Sequence, residues 1–139
     1  MTDVHTPTTE EVEAAASAIV DAFAATDRDR YFATFAPDAT FVFHTEPARL
    51  EERSAYERLW DEWVGGGWRV VSCESSDRAV QAFPGGAVFS HSVATTVETP
   101  DGRESYRERE TIAFRTDPVR GLIAVHEHLS PMPDGAPVA

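Results

Sequence analysis

The chain has 139 residues, of which 42% are hydrophobic, a size and composition that suit one domain with a single core. It carries 24 acidic and 12 basic residues, and this net charge of −12 opposes binding to nucleic acid and to anionic membrane surfaces. Every basic residue is arginine, which excludes lysine Schiff-base chemistry, and the single cysteine, Cys73, excludes an internal disulfide. We see no secretion signal and no membrane-spanning run, so we expect a cytoplasmic protein.

Helical patterns dominate the first part of the chain. Residues 1–7 are polar with one proline and predict a flexible arm. Residues 8–26 predict a helix, because hydroxyl and acidic side chains precede apolar residues at helical spacing. Asp27 is predicted to cap a short second helix, residues 39–44 to form a strand, and residues 54–64 to form a third helix ended by three glycines.

The second part of the chain alternates strands with turns. Long strands are predicted over residues 68–83, 87–98, 104–115 and 122–130, separated by glycine and proline turns. A flexible tail is predicted over residues 132–139. Because helices come first and strands last, the order predicts an α+β fold with an antiparallel sheet and no β-α-β units.

Three segments carry a resemblance to a known family. Val125–Pro131 resembles the closing strand of SnoaL-like proteins of the NTF2-like superfamily, in the group related to the calcium/calmodulin-dependent kinase association domain. Arg109-Glu110-Thr111 resembles the preceding strand of that group, and residues 32–43 resemble its entry into the first strand. Leu122 departs from the pattern, because the family usually has tryptophan there.

The resemblance covers residues 8–131 and implies a cystatin/NTF2-like cone. In such a cone three N-terminal helices pack on a curved antiparallel sheet and leave a small-molecule cavity between the two layers. The resemblance also implies a homodimer. The same fold hosts isomerases, cyclases, dehydratases, hydrolases and non-catalytic binding proteins, so it does not by itself name an activity.

Four histidines fall on predicted strands. Because strand side chains alternate, His126 and His128 share one face, while Glu127 and Leu129 point to the other. The pair could bind a divalent transition metal with His44 or His91 as a third ligand. The alternative, which we favour, is that these histidines are hydrogen-bonded in a cavity or an interface and that the protein needs no cofactor.

The strand over residues 104–115 predicts acid–base chemistry. Tyr106, Glu108 and Glu110 share a face with Ile112 and Phe114, so an inward-facing apolar pair brings all three polar groups into the cavity. Carboxyl groups buried beside aromatic rings acquire raised pKa values and can act as acid or base. For Glu108 and Glu110 the alternative is cross-strand ion pairing on an exposed sheet.

These patterns define a set of predicted site residues. We expect catalysis to use His44, His91, Glu110 and Tyr106, with His44 or Glu110 moving a proton and His91, His128 or Tyr106 polarising an oxygen. Predicted substrate contacts are Trp60, Trp63, Phe41, Phe43, Glu108 and His128. Core packing is the alternative for the aromatic residues, since stripes at helical spacing usually pack inside.

Together the residues predict a small-molecule pocket protein. We expect a cofactor-independent enzyme of isomerase, cyclase or dehydratase type, acting by proton transfer on a small apolar carbonyl compound. One alternative is a non-catalytic ligand-binding or dimerisation module. The other is a metal-dependent enzyme that uses the pair His126 and His128.

Overall fold

The computed structural model describes residues 5–133. Most of the predicted arm and tail, residues 1–4 and 134–139, lies outside this range. The elements in chain order are α1 (Thr9–Ala24), α2 (Arg28–Phe32), β1 (Phe35–Phe43), α3 (Arg53–Gly65), β2 (Arg69–Phe83), β3 (Gly86–Thr99), β4 (Gly102–Asp117) and β5 (Gly121–Pro131). The predicted α+β class is confirmed.

Side-chain caps fix the starts of the first two helices where the sequence predicts them. The Thr8 hydroxyl accepts a hydrogen bond from the Glu11 N–H at 3.1 Å, and the Glu11 carboxylate accepts from the Thr8 N–H at 3.0 Å. This reciprocal capping box satisfies two otherwise unpaired donors. Asp27 caps α2 by accepting from the Arg30 N–H at 3.3 Å. α1 packs against β2, β3 and β5 of the sheet, and α2 packs against α1.

The five strands form one mixed sheet in the order β1-β5-β4-β3-β2. The four later strands make the predicted antiparallel meander, whereas β1 pairs with β5 in parallel, with Thr40 opposite His126. The sheet is therefore mixed, and the predicted wholly antiparallel sheet is corrected at β1. Hydrophobic spacing predicts that a segment is a strand but does not fix the direction in which it pairs. β1 also begins at Phe35, ahead of the predicted start. It contains the exposed Pro37, which an edge strand tolerates.

A bulge bends β2 around α1. The register against β3 shifts between Ser76 and Ala79, and Asp77 between them has a φ of 51°. The sequence predicts an irregularity beside this position, at residues 75–76. Bulges increase the twist of a strand. The bend lets β2 curve over the helix layer and contributes to the concave inner face.

Aromatic rings fill the core between the helices and the closed end of the sheet. Trp60 is almost fully buried and stacks on Tyr31 with ring centroids 5.1 Å apart. The other fully or nearly fully buried aromatic residues of this cluster are Phe32, Phe35, Phe41, Tyr56 and Phe89. Within residues 5–133, no helix is both long and apolar enough to cross a membrane.

Candidate functional site

A cavity of about 480 Å³ opens between the helices and the concave face of the sheet. This volume lies in the range of small-molecule sites. Its apolar walls come from α1, the end of β1, α3 and the sheet, through Ile19, Val20, Phe23, Phe43, Trp63, Trp68, Val93, Val97 and Leu129. The lining also contains glutamates, tyrosines and His44. The fold therefore provides an aromatic chamber with a few polar groups inside it.

Three glutamates from neighbouring strands meet on the cavity face of the sheet. β4 alternates so that Glu108 and Glu110 are buried together with Ile112, as the apolar face of this strand requires. On β5, Glu127 lies directly opposite Ile112 in the antiparallel register, which sets its side chain on the same face. All three glutamates line the cavity.

The first glutamate forms a pair with His44 near the open end. His44 Nε2 lies 2.5 Å from Glu108 Oε2, and the side chains are 33% and 10% exposed. Burial raises the pKa of Glu108 above its usual range, and the hydrogen bond to His44 opposes part of that rise. The two side chains are joined by one short hydrogen bond, which holds the His44 ring at the cavity edge.

The second glutamate is held by a fully buried histidine. His91 Nε2 lies 2.6 Å from Glu110 Oε1, and His91 Nδ1 lies 2.6 Å from the Ser75 hydroxyl oxygen. Each ring nitrogen therefore has a hydrogen-bond partner, and His91 orients Glu110 from behind the cavity wall.

The third glutamate has an unsatisfied oxygen. Glu127 is 2% exposed, and its Oε2 is buried without a hydrogen-bond partner among the described residues. Burial, followed by the nearby charge of Glu110, raises its pKa well above the usual range. Burial and the neighbouring Glu110 therefore both favour the protonated form of Glu127. Its free oxygen faces a cavity in which a ligand can pair with it.

Two tyrosine hydroxyls lie close to this acid. The Tyr31 and Tyr56 oxygens are 3.0 Å apart, buried, and both residues line the cavity. Burial, followed by the charge of Glu127, raises the pKa of each phenol well above its usual range. Both tyrosines therefore stay protonated, and because one hydroxyl donates to the other, the pair has one phenolic hydrogen left for another acceptor.

Two further titratable groups lie nearer the open end. Burial raises the pKa of Cys73 to about 11 and that of Tyr106 to about 12, and in both cases nearby glutamates add to the rise. The thiol is therefore protonated near neutral pH and is a poor nucleophile. Tyr106 is 38% exposed at the edge of the cavity. Neither group can act as a base at neutral pH.

The predicted aromatic contacts divide between cavity and core. Phe43 and Trp63 line the cavity, as predicted. Phe41 and Trp60 do not: they are 0% and 1% exposed and pack inside the aromatic cluster. The helical stripe predicts which side of α3 faces inward. The position along the helix then decides whether a residue packs in the core, as Trp60 does, or lines the cavity, as Trp63 does.

The predicted role of His128 in the cavity needs correction. His128 is exposed and His126 is half-buried on the outer face of the sheet, where His126 Nδ1 lies 2.8 Å from the Thr40 hydroxyl oxygen. The alternation of β5 puts Glu127 inside and both histidines outside. Glu127 is thus the site residue that the sequence analysis missed, together with Tyr56.

The alternative metal set is not brought together. His126 and His128 lie on the outer face, whereas His44 and His91 hydrogen-bond to the cavity glutamates. Within residues 5–133, no group of three or more histidine, cysteine, aspartate or glutamate side chains is arranged to hold an ion. The alternation of side chains along β5 puts His126 and His128 on the outer face and so keeps them away from His44 and His91.

Comparison with protein families gives a direct assignment. The model of the SnoaL-like domain matches residues 12–135, which is most of the chain. The chain belongs to the SnoaL-like family. Leu122, which stands where this family usually has tryptophan, is half-buried and packs against the core cluster. A search of curated protein sequences found no match to this chain.

Solved structures of low sequence identity share the whole fold. An NTF2-like superfamily protein from Salmonella enterica is 15% identical, with a TM-score of 0.79 and coverage of 91% of this chain and 92% of its own. The S. rosetta CaMKII hub is 20% identical, with a TM-score of 0.75 and coverage of 93% and 100%. A Catenulispora acidiphila structure in complex with S-DNPA is 14% identical, with a TM-score of 0.72 and coverage of 86% and 90%. These likenesses show that the chain has the NTF2-like fold.

Proposed function

We propose that this SnoaL-like protein is a cofactor-independent enzyme that moves protons on a small apolar carbonyl compound, and that it works in the cytoplasm. The observation that carries the proposal is the pairing of Glu110 and Glu127 in one aromatic cavity with different surroundings. Glu110 is held by the buried His91, whereas Glu127 has a free oxygen and a raised pKa. Two carboxyl groups in unlike environments can divide the roles of base and acid.

The roles follow from the proton each group carries. Glu110, as a carboxylate, takes a proton from the carbon next to the substrate carbonyl. Glu127, as a carboxylic acid, donates its proton to the carbonyl oxygen, which becomes an enol hydroxyl. Return of the two protons, one of them to a different carbon, completes an isomerisation and restores both side chains. His91 does not touch the substrate in this scheme and acts as a positioning residue.

The aromatic wall makes these transfers effective. The cavity excludes bulk water around Glu127, and charge–dipole interactions strengthen where the local dielectric is low. The charge of Glu127 contributes to the raised pKa of both Tyr31 and Tyr56. This hydrogen-bonded pair supplies a further donor for a developing oxyanion.

Hydrogen–deuterium exchange into a ketone tests the proposal without knowledge of the natural substrate. Phenylacetone and cyclohexanone in D₂O are followed by NMR, with and without the protein. We expect exchange at the carbons next to the carbonyl to exceed the buffer rate. In Glu110→Gln the protein-dependent rate should fall by about a hundredfold, the usual size of a general-base contribution.

The matched control is Glu74→Gln, the same substitution on the exposed outer side of β2. It should leave the exchange rate unchanged. Exchange at the buffer rate with both ketones would contradict the proposal. An equal loss of rate in Glu74→Gln and Glu110→Gln would also contradict it, because the effect would then not arise in the cavity.

A second candidate function is that of an assembly module forming a homodimer. The similarity to the S. rosetta CaMKII hub supports it. The helices pack on one face of the sheet and the other face presents alternate residues of β4 to solvent, including Thr111. A second copy of the chain can cover this outer face. The two candidates are compatible, since the cavity opens on the opposite side of the sheet.

A further inference from the structure

The charge of the cavity lining is one-sided. The lining contains five glutamates, namely Glu46, Glu104, Glu108, Glu110 and Glu127. Among residues 5–133 the lining includes no arginine, although the chain has 12 of them, and the chain has no lysine. His44 is the one lining residue that can take a positive charge, and it is paired with Glu108. An anionic ligand would enter against this charge.

The glutamates act on the groups around them. Glu108 and Glu104 contribute to the raised pKa of Tyr106, and Glu110, Glu108 and Glu127 contribute to that of Cys73. Burial is the largest cause of both shifts, and the glutamates add to it. The part that the glutamates contribute penalises a negative charge in the cavity and favours a positive one.

Aromatic rings line the same cavity as the carboxylates. Trp63 and Trp68 are half-buried, line the cavity, and have ring centroids 5.3 Å apart. Tryptophan faces attract ammonium groups, and the attraction grows as the cation loses water. The exposed side of the cavity therefore combines the two features that bind organic cations, carboxylate charge and aromatic rings.

The buried end of the cavity contains Glu127, whose Oε2 has no hydrogen-bond partner among the described residues. Glu127, Tyr31 and Tyr56 are each 2% exposed. A carbonyl oxygen satisfies the acid at this end. The charged groups Glu46 and Glu104 lie toward the open end, where the chain is more exposed. The two ends thus favour different parts of one ligand.

We propose that the ligand is an organic cation, an apolar carbonyl compound that also carries a protonated amine. Its carbonyl lies against Glu127, and its ammonium group lies among Trp63, Glu104 and Glu46. This inference rests on the proposed function for the place of the carbonyl, and it names the substrate class for that reaction. A carboxylate-bearing analogue of the same size is rejected by the glutamates.

Three probes with the same phenyl-alkyl frame test the charge preference. Phenethylamine, phenethyl alcohol and hydrocinnamate are each titrated into the wild-type protein by isothermal titration calorimetry at neutral pH and low salt. We expect the amine to bind about tenfold more tightly than the alcohol, and hydrocinnamate to bind more weakly than either. Equal binding of the amine and the alcohol would overturn the inference, as would tightest binding of hydrocinnamate or no binding of any probe.

Glu104→Gln tests the cation site directly. Glu104 is exposed, so the variant should fold. It should bind phenethylamine about threefold more weakly, with binding of phenethyl alcohol unchanged. The control is Glu74→Gln, on the far side of the sheet.

The two failures have different signatures. Ketone exchange without a preference for the amine would leave the proposed reaction standing and remove the cation. Preference for the amine without ketone exchange would leave the cation site standing and remove the reaction. An unchanged affinity for phenethylamine in Glu104→Gln would exclude this glutamate from the cation site and contradict the inference as stated.

Discussion

Burial favours the protonated form of Glu127, and this shift ties the stability of the fold to pH. An unfolded chain ionises this glutamate near the ordinary value of 4.5, whereas the folded protein holds the proton to higher pH. Above 4.5 the unfolded state therefore binds fewer protons than the folded state. The free energy of unfolding falls as pH rises, until the raised folded-state value is passed, by up to about 1.4 kcal/mol per pH unit from this group.

Glu127→Gln should remove this part of the decline. A glutamine keeps the shape of the neutral acid and does not titrate, so the variant should gain stability over the wild type as pH rises from 5 to 8. Urea unfolding at a series of pH values measures the difference. Glu74→Gln, at an exposed position, should follow the wild-type curve. Parallel curves for Glu127→Gln and the wild type would show that Glu127 is ionised in the folded state.

The position of Glu127 could be predicted from the sequence only in part. Alternation along β5 correctly predicts that Glu127 and Leu129 face away from His126 and His128. The prediction that His128 lines the cavity is wrong, because the paired histidines lie on the outer face of β5. Leu129 indicates the inner face, since an apolar side chain on a strand usually points inward. The free oxygen of Glu127 could not be predicted, because it depends on packing against other strands.

At the scale of the elements, the β2–β3 hairpin depends on a glycine. A Cβ added at Gly86 would lie 2.3 Å from the backbone oxygen of Phe114 on β4, closer than any real Cβ contact. The obstacle is backbone, so β3 and β4 must separate to admit a methyl group. We expect Gly86→Ala to lower the free energy of unfolding by about 2 kcal/mol, measured by urea denaturation.

Gly65, the last residue of α3, provides the matched control. A Cβ built there meets nothing within 4 Å, and alanine favours the helix over glycine. Gly65→Ala should therefore be neutral or should stabilise the protein by up to about 1 kcal/mol. Equal effects of the two substitutions would show that the hairpin can relax around Gly86.

The elements also show why most of the fold could be predicted from the sequence. The Thr8 capping box, the Asp27 cap and the glycines after α3 are local signals, and each acts within a few residues. The parallel pairing of β1 with β5 is not local. Nothing in residues 35–43 indicates which strand will lie beside them or in which direction, so this pairing became visible only in the structure.

At the scale of the whole molecule, the exposed outer face leads us to expect a homodimer. Light scattering of the purified protein should give twice the mass of the chain. Thr111→Asp puts a charge on the outer side of β4 and should yield a folded monomer, because a buried unpaired charge opposes association.

The control for this prediction is Glu62→Lys, a charge change on the exposed side of α3, which should remain a dimer. A wild-type monomer at all accessible concentrations would remove the assembly proposal. A dimer that survives Thr111→Asp would move the interface to another surface.

The parallel pairing of β1 with β5 also governs when the protein can fold. Thr40 meets His126 across 86 residues of chain, so β1 has no strand beside it until almost the whole domain has been synthesised. Contacts this distant in sequence slow folding. β5 also carries Glu127 into the cavity, so the chamber is complete only when this last strand has joined the sheet.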